Sequence, residues 1–201
     1  MRRKLNKPWK QWTFWTSLTL VLAFALNTVA ICALPYIITD KVSDDRLKSS
    51  GVSVNQFTHG AICVAVDEPI IEGVPTRVDS VVMSCPDHFV QFCKYDISKK
   101  PLHIHVSVPV DIAPYWSISF YAHNTDNFWV MNDLDVKAKG LTELNITLVR
   151  SGTYEKPGNE IVYSPSGTGI ILIRTIIPDR YSAEGQEAIK ELLKYRAEAR
   201  Q

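Results

Sequence analysis

Residues 102–108 read Leu-His-Ile-His-Val-Ser-Val, with an aliphatic side chain at every even position and a histidine or serine between. Because successive side chains of a β-strand point to opposite faces, this alternation predicts a strand with one face in a core and the other in water. The preceding Lys99-Lys100-Pro101 is typical of a turn. The sequence around this stretch is therefore expected to form a sheet that is buried on one side.

Similar short runs of β-branched and aromatic residues surround this strand, separated by turn residues such as Pro157-Gly158-Asn159. The runs are Ala61–Val66, Ser80–Met83, Phe89–Tyr95, Leu102–Val108, Tyr115–His123, Asn127–Met131, Leu144–Val149, Ile161–Tyr163 and Gly169–Ile177. Short strands without helical crossovers predict a mainly β fold, an antiparallel sandwich-like or barrel-like domain over residues 59–180.

Residues 181–201 carry a helical pattern instead. Ser182 is a suitable N-cap, and acidic residues follow it in the first turn. The apolar residues of this segment form one narrow stripe, Ile189, Leu192 and Leu193. The pattern predicts a short amphipathic C-terminal helix that reaches to about Ala199.

The N-terminal region contains no charged side chain between Lys10 and Asp40. The most apolar part, residues 14–34, would span about 31 Å as a helix, close to the hydrocarbon thickness of a bilayer. Tryptophans stand at its basic end and Pro35 follows its other end. We expect a transmembrane signal-anchor helix within residues 12–38, ended near Pro35, with the lipid bilayer as its partner. A cleaved signal peptide, cut after Ala30 or Ala33, is the alternative, although its apolar region is normally shorter.

Topology follows from the distribution of charge. Five of the first ten residues are basic and none is acidic, so the positive-inside rule keeps residues 1–11 in the cytoplasm and puts the bulk of the chain outside. Residues 39–58 are polar and show no clear periodicity, which predicts a spacer.

Overall composition limits the class of protein. The 201 residues include 22 basic and 21 acidic ones, a net charge of +1. A nucleic-acid-binding protein normally has a strong basic excess, so nucleic acid is not an expected partner. The length leaves room for one domain and a short appendage.

Arg174 is an unusual residue because it lies within the apolar run Ile170–Ile177. A buried guanidinium must be paired or hydrogen-bonded, since an isolated buried charge is costly. Candidate partners are Asp87, Asp96 and Asp126. A structural ion pair is the simpler interpretation, and an anion-binding or catalytic arginine is the alternative.

His103 and His105 point the same way from one strand and would suit two metal ligands, but no third ligand stands at a telling spacing. The sequence also lacks a nucleophile elbow, a His-Glu-x-x-His helix and a phosphate-binding loop. We therefore expect no metal and no cofactor, and the sequence does not support an enzyme. The alternative, a ligand site, would combine six residues: Arg174, His103, His105, Asp87, Tyr115 and Tyr121.

The external part contains three cysteines, Cys63, Cys85 and Cys93, in a compartment that permits disulfides. Three pairings are open, and Cys63 with Cys93 is a candidate cross-strand bridge. Unpaired cysteines acting as small buried apolar groups are the alternative.

The order of several short motifs resembles the bacterial family known as domain of unknown function 1254. The motifs are Pro86-Asp87, Tyr95-Asp96-Ile97-Ser98, Tyr115-Trp116-Ser117-Ile118-Ser119-Phe120-Tyr121, Thr125-Asp126-Asn127-Phe128, Ser164-Pro165 and Arg174-Thr175. The resemblance covers about residues 55–180 and looks like a short, membrane-anchored form. At Ser84-Cys85 the sequence departs from the asparagine-containing segment of longer members.

This resemblance implies a β-rich fold, a bacterial inner-membrane location with the domain in the periplasm, and an envelope partner that bears domain of unknown function 1214. It implies no reaction. Our first hypothesis is a non-enzymatic anchored domain that associates with another envelope protein. The second is an enzyme or ligand-binding domain with a site around Arg174, His103 and His105, and the third is an envelope factor cleaved from its anchor.

Overall fold

A computed structural model of the chain describes residues 8–64, 76–78, 87–109, 112–152, 160–177 and 179–201. The helices are α1 (Pro8–Ser50), α2 (Asp133–Lys139) and α3 (Ala183–Leu192). The strands are β1 (Ala61–Val64), β2 (Thr76–Val78), β3 (His88–Asp96), β4 (Leu102–Ser107), β5 (Trp116–Ala122), β6 (Asn127–Asn132), β7 (Glu143–Arg150), β8 (Glu160–Ser164), β9 (Thr168–Ile176) and β10 (Ala197–Arg200). We call everything after α1 the β domain.

The strands form two sheets that bury a common core. One sheet has six strands in the order β2-β1-β3-β9-β5-β6, and the other has four in the order β10-β4-β7-β8. Tyr95, Trp116 and Phe120 fill the core from the first sheet, while Leu102 and Ile146 enter it from the second. The mainly β prediction is confirmed, but the sheets are mixed, because β1 with β2 and β7 with β8 are parallel pairs.

Strand β4 has the one-sided burial that its alternating sequence predicts. Leu102, Ile104 and Val106 are at most 2% exposed, whereas His103 is exposed and His105 half-buried. The strand lies between β10 and β7, so both of its backbone edges are hydrogen-bonded. Period-two patterning is reliable here because one face meets the core and the other meets solvent.

Helix α1 does not end at Pro35 but continues to Ser50. The prediction of a spacer over residues 39–58 is therefore wrong for residues 39–50, which are helical. Proline removes one backbone donor from a helix, yet the following turn is held in place: the Thr39 hydroxyl donates to the Pro35 carbonyl at 2.8 Å. From Thr39 onward the helix also packs against the β domain, which local sequence does not reveal.

The buried face of this second half of α1 carries Thr39, Ser43 and Leu47, which are 3%, 0% and 9% exposed. They are four residues apart and so share one side of the helix. The Ser43 hydroxyl donates to the Thr39 carbonyl at 2.6 Å. Because the hydroxyls bond within their own helix, they can be buried without a partner from the sheet.

The C-terminal segment forms a helix and a strand rather than one long helix. The Ser182 side chain caps α3 by accepting from the Gly185 amide at 2.9 Å, as expected, and Ile189 and Leu192 are buried. The helix ends at Leu192, and β10 then pairs with β4, with Glu198 opposite His105. The prediction of a helix to Ala199 is therefore wrong. Without β10 the edge of β4 would be unpaired, and pairing with it gives the last residues backbone hydrogen bonds that the end of a helix lacks.

Besides β10, two elements have no counterpart among the predicted runs, namely β2 and α2. Helix α2 has a complete capping box, in which Asn132 accepts from the Asp135 amide and Asp135 accepts from the Asn132 amide. Gly140 ends it with a φ of 63°, a left-handed conformation that favours glycine. The predicted strand Ser80–Met83 lies outside the described residues, as do the last two residues of the run Ala61–Val66.

Candidate functional site where the helix meets the sheet

Helix α1 contacts the outer face of the six-stranded sheet, away from the core. Asp40 and Asp44, one helical turn apart, both reach Lys94 on β3. The Lys94 ammonium is 2.7 Å from Asp44 Oδ1 and 3.3 Å from Asp40 Oδ1. The lysine side chain is only 14% exposed, so two carboxylates compensate a charge that is largely removed from water. Lys94 therefore fastens the helix to the sheet.

The protonation equilibria of this cluster reflect the pairing. Burial by itself would raise the pKa of Asp40, but the hydrogen bonds and charges of His123 and Lys94 outweigh it and leave that pKa below its usual value. Burial likewise acts to lower the pKa of Lys94, and the two aspartates outweigh it, so that pKa is raised. Both groups are therefore held in their charged forms at neutral pH.

His123, just after β5, contacts α1 on the same side. Its Nε2 lies 3.1 Å from Asp40 Oδ2, a distance that makes an ion pair when the imidazole is protonated. The ring also meets Tyr36 edge to face, with centroids 5.0 Å apart. Tyr36 precedes the packed residues of α1, so this contact marks the point where the helix leaves the β domain.

Six residues after Asp40 in α1, the Arg46 guanidinium lies 5.3 Å from the centroid of the Phe92 ring. Phe92 is on β3, two residues before Lys94, and is 2% exposed. A cation over an aromatic face is favourable, particularly where water is partly excluded. The helix is thus attached to β3 by charge at Lys94 and by stacking at Phe92.

Arg174 is half-buried on the outer face of the six-stranded sheet rather than in the core. Its Nη2 donates to the Tyr121 hydroxyl at 3.1 Å, so two residues of the predicted ligand site are brought together. Asp96 and Asp126 lie at the opposite end of the sheet, since Asp96 pairs with Thr168 and Arg174 pairs with Val90. These two aspartates are therefore not its ion-pair partners.

Asp87 and Tyr115 lie near the Arg174 end of the same sheet. The Asp87 carbonyl accepts from the Ile177 amide, and the Tyr115 carbonyl accepts from the Ile176 amide. Burial, and then the positive charge of Arg174, lower the pKa of the adjacent His88. Four of the six predicted site residues thus lie in or directly next to one sheet, namely Asp87, Tyr115, Tyr121 and Arg174.

His103 and His105 lie on the other side of the molecule, on the outer face of the four-stranded sheet. Because Arg174 also points outward, but from the six-stranded sheet, the core separates it from both histidines, and the predicted common site does not form. His103 Nδ1 is 3.1 Å from Thr147 Oγ1, and His105 Nδ1 is 3.0 Å from Asn145 Oδ1.

The histidines line an open groove of about 290 Å³ on that outer face. Glu198 and Arg200 on β10 form its other wall, and Asn145 lies on the β7 side. Within the described ranges, no three His, Cys, Asp or Glu side chains are grouped as metal ligands. The groove is therefore a polar surface depression of mixed charge.

Cys93 is a free, fully buried cysteine, and burial raises the pKa of its thiol above the usual range. The candidate bridge to Cys63 is not formed. The strand register explains why: Ile62, next to Cys63, is opposite Phe89, four residues before Cys93 on β3. At about 3.3 Å per residue this offset is far longer than the Cα separation that a disulfide spans.

A scan against protein families matches residues 71–198 to the family described as Protein of unknown function (DUF1254). The match includes β2 to α3 and therefore most strands of both sheets, together with Lys94, Arg174 and the groove residues up to Glu198. The chain belongs to this family. The prediction of DUF1254 membership from the order of the motifs between Pro86-Asp87 and Arg174-Thr175 is thus confirmed. The family description names no activity.

Two solved structures are similar to this chain to different extents, and the first supports a shared fold. The VPA0106 protein from Vibrio parahaemolyticus matches with a TM-score of 0.55 at 11% identity, over 85% of this chain and 36% of that chain. An uncharacterised protein from Burkholderia cenocepacia matches with a TM-score of 0.39 at 12% identity, over 59% of this chain and 31% of that chain. The DUF1254 chain thus spans about a third of their length. No curated protein matches it.

Sequence reasoning missed the attachment residues Asp40, Asp44, Lys94 and His123. The sequence did contain an indication of the two aspartates. Asp40 and Asp44 are four residues apart, as are Thr39, Ser43 and Leu47. This spacing indicates a helix on which an acidic stripe lies next to a stripe of small and apolar residues. Nothing in the sequence indicated Lys94 or His123 as the partners.

Proposed function

We propose that this DUF1254 protein is a single-pass protein of the bacterial inner membrane, with its N-terminus in the cytoplasm and its β domain in the periplasm. The domain acts there by associating with another envelope protein. We infer no reaction for it. The proposal rests mainly on one observation, the contrast between the apolar first half of α1 and the packed second half.

The first half of α1 supports the anchoring part of the proposal. By length and composition, α1 is the helix in the described part of the chain that could cross a membrane. Its apolar side chains are exposed on all sides, including Trp12 at 75%, Phe24 at 74% and Leu26 at 70%. A helix that is apolar all round needs an apolar environment.

Polar groups within that half are compatible with lipid. The Thr19 hydroxyl donates to the Trp15 carbonyl and the Thr28 hydroxyl to the Phe24 carbonyl, each at 2.9 Å. These bonds within the helix avoid unsatisfied groups in hydrocarbon. The five basic residues before residue 11 favour a cytoplasmic N-terminus.

Association with a partner follows from the family resemblance, which implies a neighbouring or partner protein that bears domain of unknown function 1214. We propose that the β domain associates with an envelope protein of that kind. Affinity purification from membranes in a gentle detergent, at native expression, should recover such a protein, and recovery of the monomer alone would count against this part.

The anchoring part is tested by fractionation of cells that express the full chain. We expect the protein to stay in the membrane pellet after alkaline carbonate extraction, and the β domain to become protease-accessible only in spheroplasts. An intact mass that includes residue 1 supports an uncleaved anchor. Release into the periplasmic fraction with a mass starting near residue 31 or 34 would support the cleaved factor instead.

A second candidate function is binding of a small polar molecule in the groove beside His103 and His105. The volume of about 290 Å³ favours it, since small-ligand sites begin near that size. It predicts that small carboxylates raise the melting temperature of the full chain and that the double variant His103→Ala/His105→Ala loses this response. An equal rise in melting temperature for the wild type and the double variant would exclude the groove as the binding site.

A further inference from the structure

The direction in which α1 leaves the β domain is defined by its contacts with β3. Asp40 contacts Lys94, while Arg46, later in the helix, stacks on Phe92, earlier in the strand. The helix therefore runs antiparallel to β3. It follows that the apolar half of α1 extends beyond the end of the sheet at which β3 finishes.

Three connections lie at that same end of the sheet. Strand β9 is antiparallel to β3 and to β5, so β3 and β5 finish where β9 begins. We call this end the entry edge and define it as residues 97–101, 123–126 and 165–167. Its parts are joined, because the Ile97 amide donates to the Gly167 carbonyl at 2.8 Å and the His123 amide to Ser166 Oγ at 3.1 Å.

The distance from the apolar segment to the entry edge is short. Six residues of continuous helix separate Leu34 from Asp40, a rise of about 9 Å. The head-group layer on each side of a bilayer is roughly 5–7 Å thick. Tyr36 lies within this interval and already contacts His123 of the entry edge. With the apolar half in the bilayer, the entry edge stands level with the head groups.

The entry edge exposes two adjacent cations, Lys99 and Lys100. Neither forms a salt bridge with any residue in the described ranges. The nearby carboxylates are engaged within their own turns: Asp96 accepts from the Ser98 amide at 2.9 Å, and Asp126 accepts from Asn124 Nδ2 at 2.6 Å. A hydrogen bond leaves a carboxylate charged, so this surface combines the exposed cations Lys99 and Lys100 with the anions Asp96 and Asp126. The two lysines are the groups at this edge that can bind an anion.

We propose that the entry edge of the β domain rests on the bilayer surface and that Lys99 and Lys100 bind the phosphates of anionic lipid head groups. This inference rests on the proposed anchoring of α1 and adds a second, peripheral contact to it. The contact holds the domain in one orientation, because a continuous helix and a lipid-bound edge fix it at two places. The opposite end of the sheets then faces away from the membrane.

The experiment uses the full chain reconstituted into vesicles of phosphatidylethanolamine and phosphatidylglycerol, with phosphatidylcholine vesicles for comparison. A photoreactive benzophenone amino acid replaces Ser98 in the entry edge or, as a control, Thr142 at the opposite end of the sheets. Thr142 is placed there by the hydrogen bond that its carbonyl accepts from the Val108 amide, just after β4. Both positions are exposed. We expect lipid adducts at Ser98 to exceed those at Thr142 by about tenfold on the anionic vesicles.

The role of charge is tested by reversing it. Lys99→Glu with Lys100→Glu should lower the adduct yield at Ser98 about tenfold, to the level of Thr142, because acidic side chains replace the basic ones that attract an anionic surface. The matched control is Lys190→Glu with Lys194→Glu, in and just after α3. Helix α3 packs against Phe89 near the start of β3, so it lies at the end of the sheet opposite the entry edge. This control should leave the yield unchanged.

Flotation of the vesicles separates the two levels of the proposal. Protein that fails to float would overturn the anchoring and the lipid contact together. Protein that floats, but gives equal adduct yields at Ser98 and Thr142, would overturn the lipid contact and leave the anchoring standing. Equal yields at Ser98 on anionic and phosphatidylcholine vesicles would overturn the binding of anionic head groups.

Discussion

The two halves of α1 belong to one uninterrupted helix but meet different surroundings. Residues 11–38 are mostly apolar around the whole circumference and exposed almost throughout. Residues 39–50 bury one stripe against the β domain, and their charged side chains Asp40, Asp44 and Arg46 contact β3 or its neighbours. Pro35 lies close to the boundary, and the backbone stays helical through it.

This difference shows that helical structure here has two independent sources of support. The first half satisfies its backbone internally and, in our proposal, gains stability from lipid. The second half is stabilised by tertiary contacts, since its buried stripe of threonine, serine and leucine is too weakly apolar to be driven by hydrophobicity alone. Because the helix is continuous, the two kinds of support are mechanically coupled.

The largest effect is expected from charge in the first half. Leu22→Arg with Leu26→Arg should release the protein from carbonate-washed membranes, because two central arginines cost about 6 kcal/mol of insertion free energy. The control Leu22→Ile with Leu26→Ile should remain in the pellet. A double-arginine variant that stays membrane-bound would contradict the proposed spanning role.

A charge on the buried stripe should detach the second half. Leu47→Asp removes the buried leucine and introduces a carboxylate without a partner, a cost of about 3 kcal/mol in docking free energy. We expect faster tryptic cleavage after Lys41 and Lys48, measured in detergent with the full chain. The exposed neighbour offers the control: Lys48→Asp loses one cleavage site but should leave cleavage after Lys41 slow.

Removing the cation that joins helix and sheet should have a smaller effect. Lys94→Met leaves Asp40 and Asp44 without their shared partner and should lower the free energy of unfolding by about 1–2 kcal/mol, measured by thermal denaturation. Lys139→Met, which removes an exposed contact of 3.7 Å to Glu160, should change it by less than about 0.5 kcal/mol. Equal effects would mean that the Lys94 pair does not attach the helix.

The same pair predicts a pH dependence. The pKa of Asp40 in the folded protein lies below its usual value of 3.8, so its contribution to stability is complete above that value and is lost as the pH falls through the folded pKa. The folded pKa of Lys94 lies above 10.5, so its contribution is present below that value and lost as the pH rises further. The stability difference between the wild type and Lys94→Met should therefore be constant from pH 5 to 9 and shrink in stronger acid.

The smallest effect is expected from the hydroxyl groups. Thr39→Val removes a donor from the buried stripe and should cost about 0.5–1 kcal/mol of unfolding free energy. Thr28→Val, in the exposed half, should be neutral within about 0.5 kcal/mol, because its bond to the Phe24 carbonyl replaces no tertiary contact. A larger loss for Thr28→Val, in melting of the reconstituted protein, would show that the first half also contacts another helix.

The strands were predictable where burial is one-sided or nearly complete. The run Leu102–Val108 alternates because its strand faces the core on one side, and the predicted runs at β3, β5, β7 and β9 correspond to observed strands. Strand β10 was not predictable, because Ala197–Arg200 has no strand pattern and pairs only where β4 offers an edge. Such pairing depends on a residue nearly a hundred positions away.

The candidate site was predictable in part. Arg174 was correctly expected to need a partner, yet its hydrogen bond goes to Tyr121 rather than to Asp96 or Asp126. His103 and His105 do share one face, but that face belongs to the other sheet. The alternation along a strand shows which side chains share a face. It does not show in which of the two sheets the strand lies, and therefore on which side of the molecule that face is found.

The sequence by itself determined the long apolar helix, the alternating strands, the Ser182 cap and the family to which the chain belongs. These features depend on periodicity and on bonds between near neighbours, which any stretch of chain carries with it. Only the tertiary structure decided that α1 continues past Pro35, that Lys94 holds Asp40 and Asp44, and that the core divides Arg174 from the histidines. Those outcomes depend on which surfaces meet, and weakly apolar or charged faces have no preferred partner until the sheets have assembled.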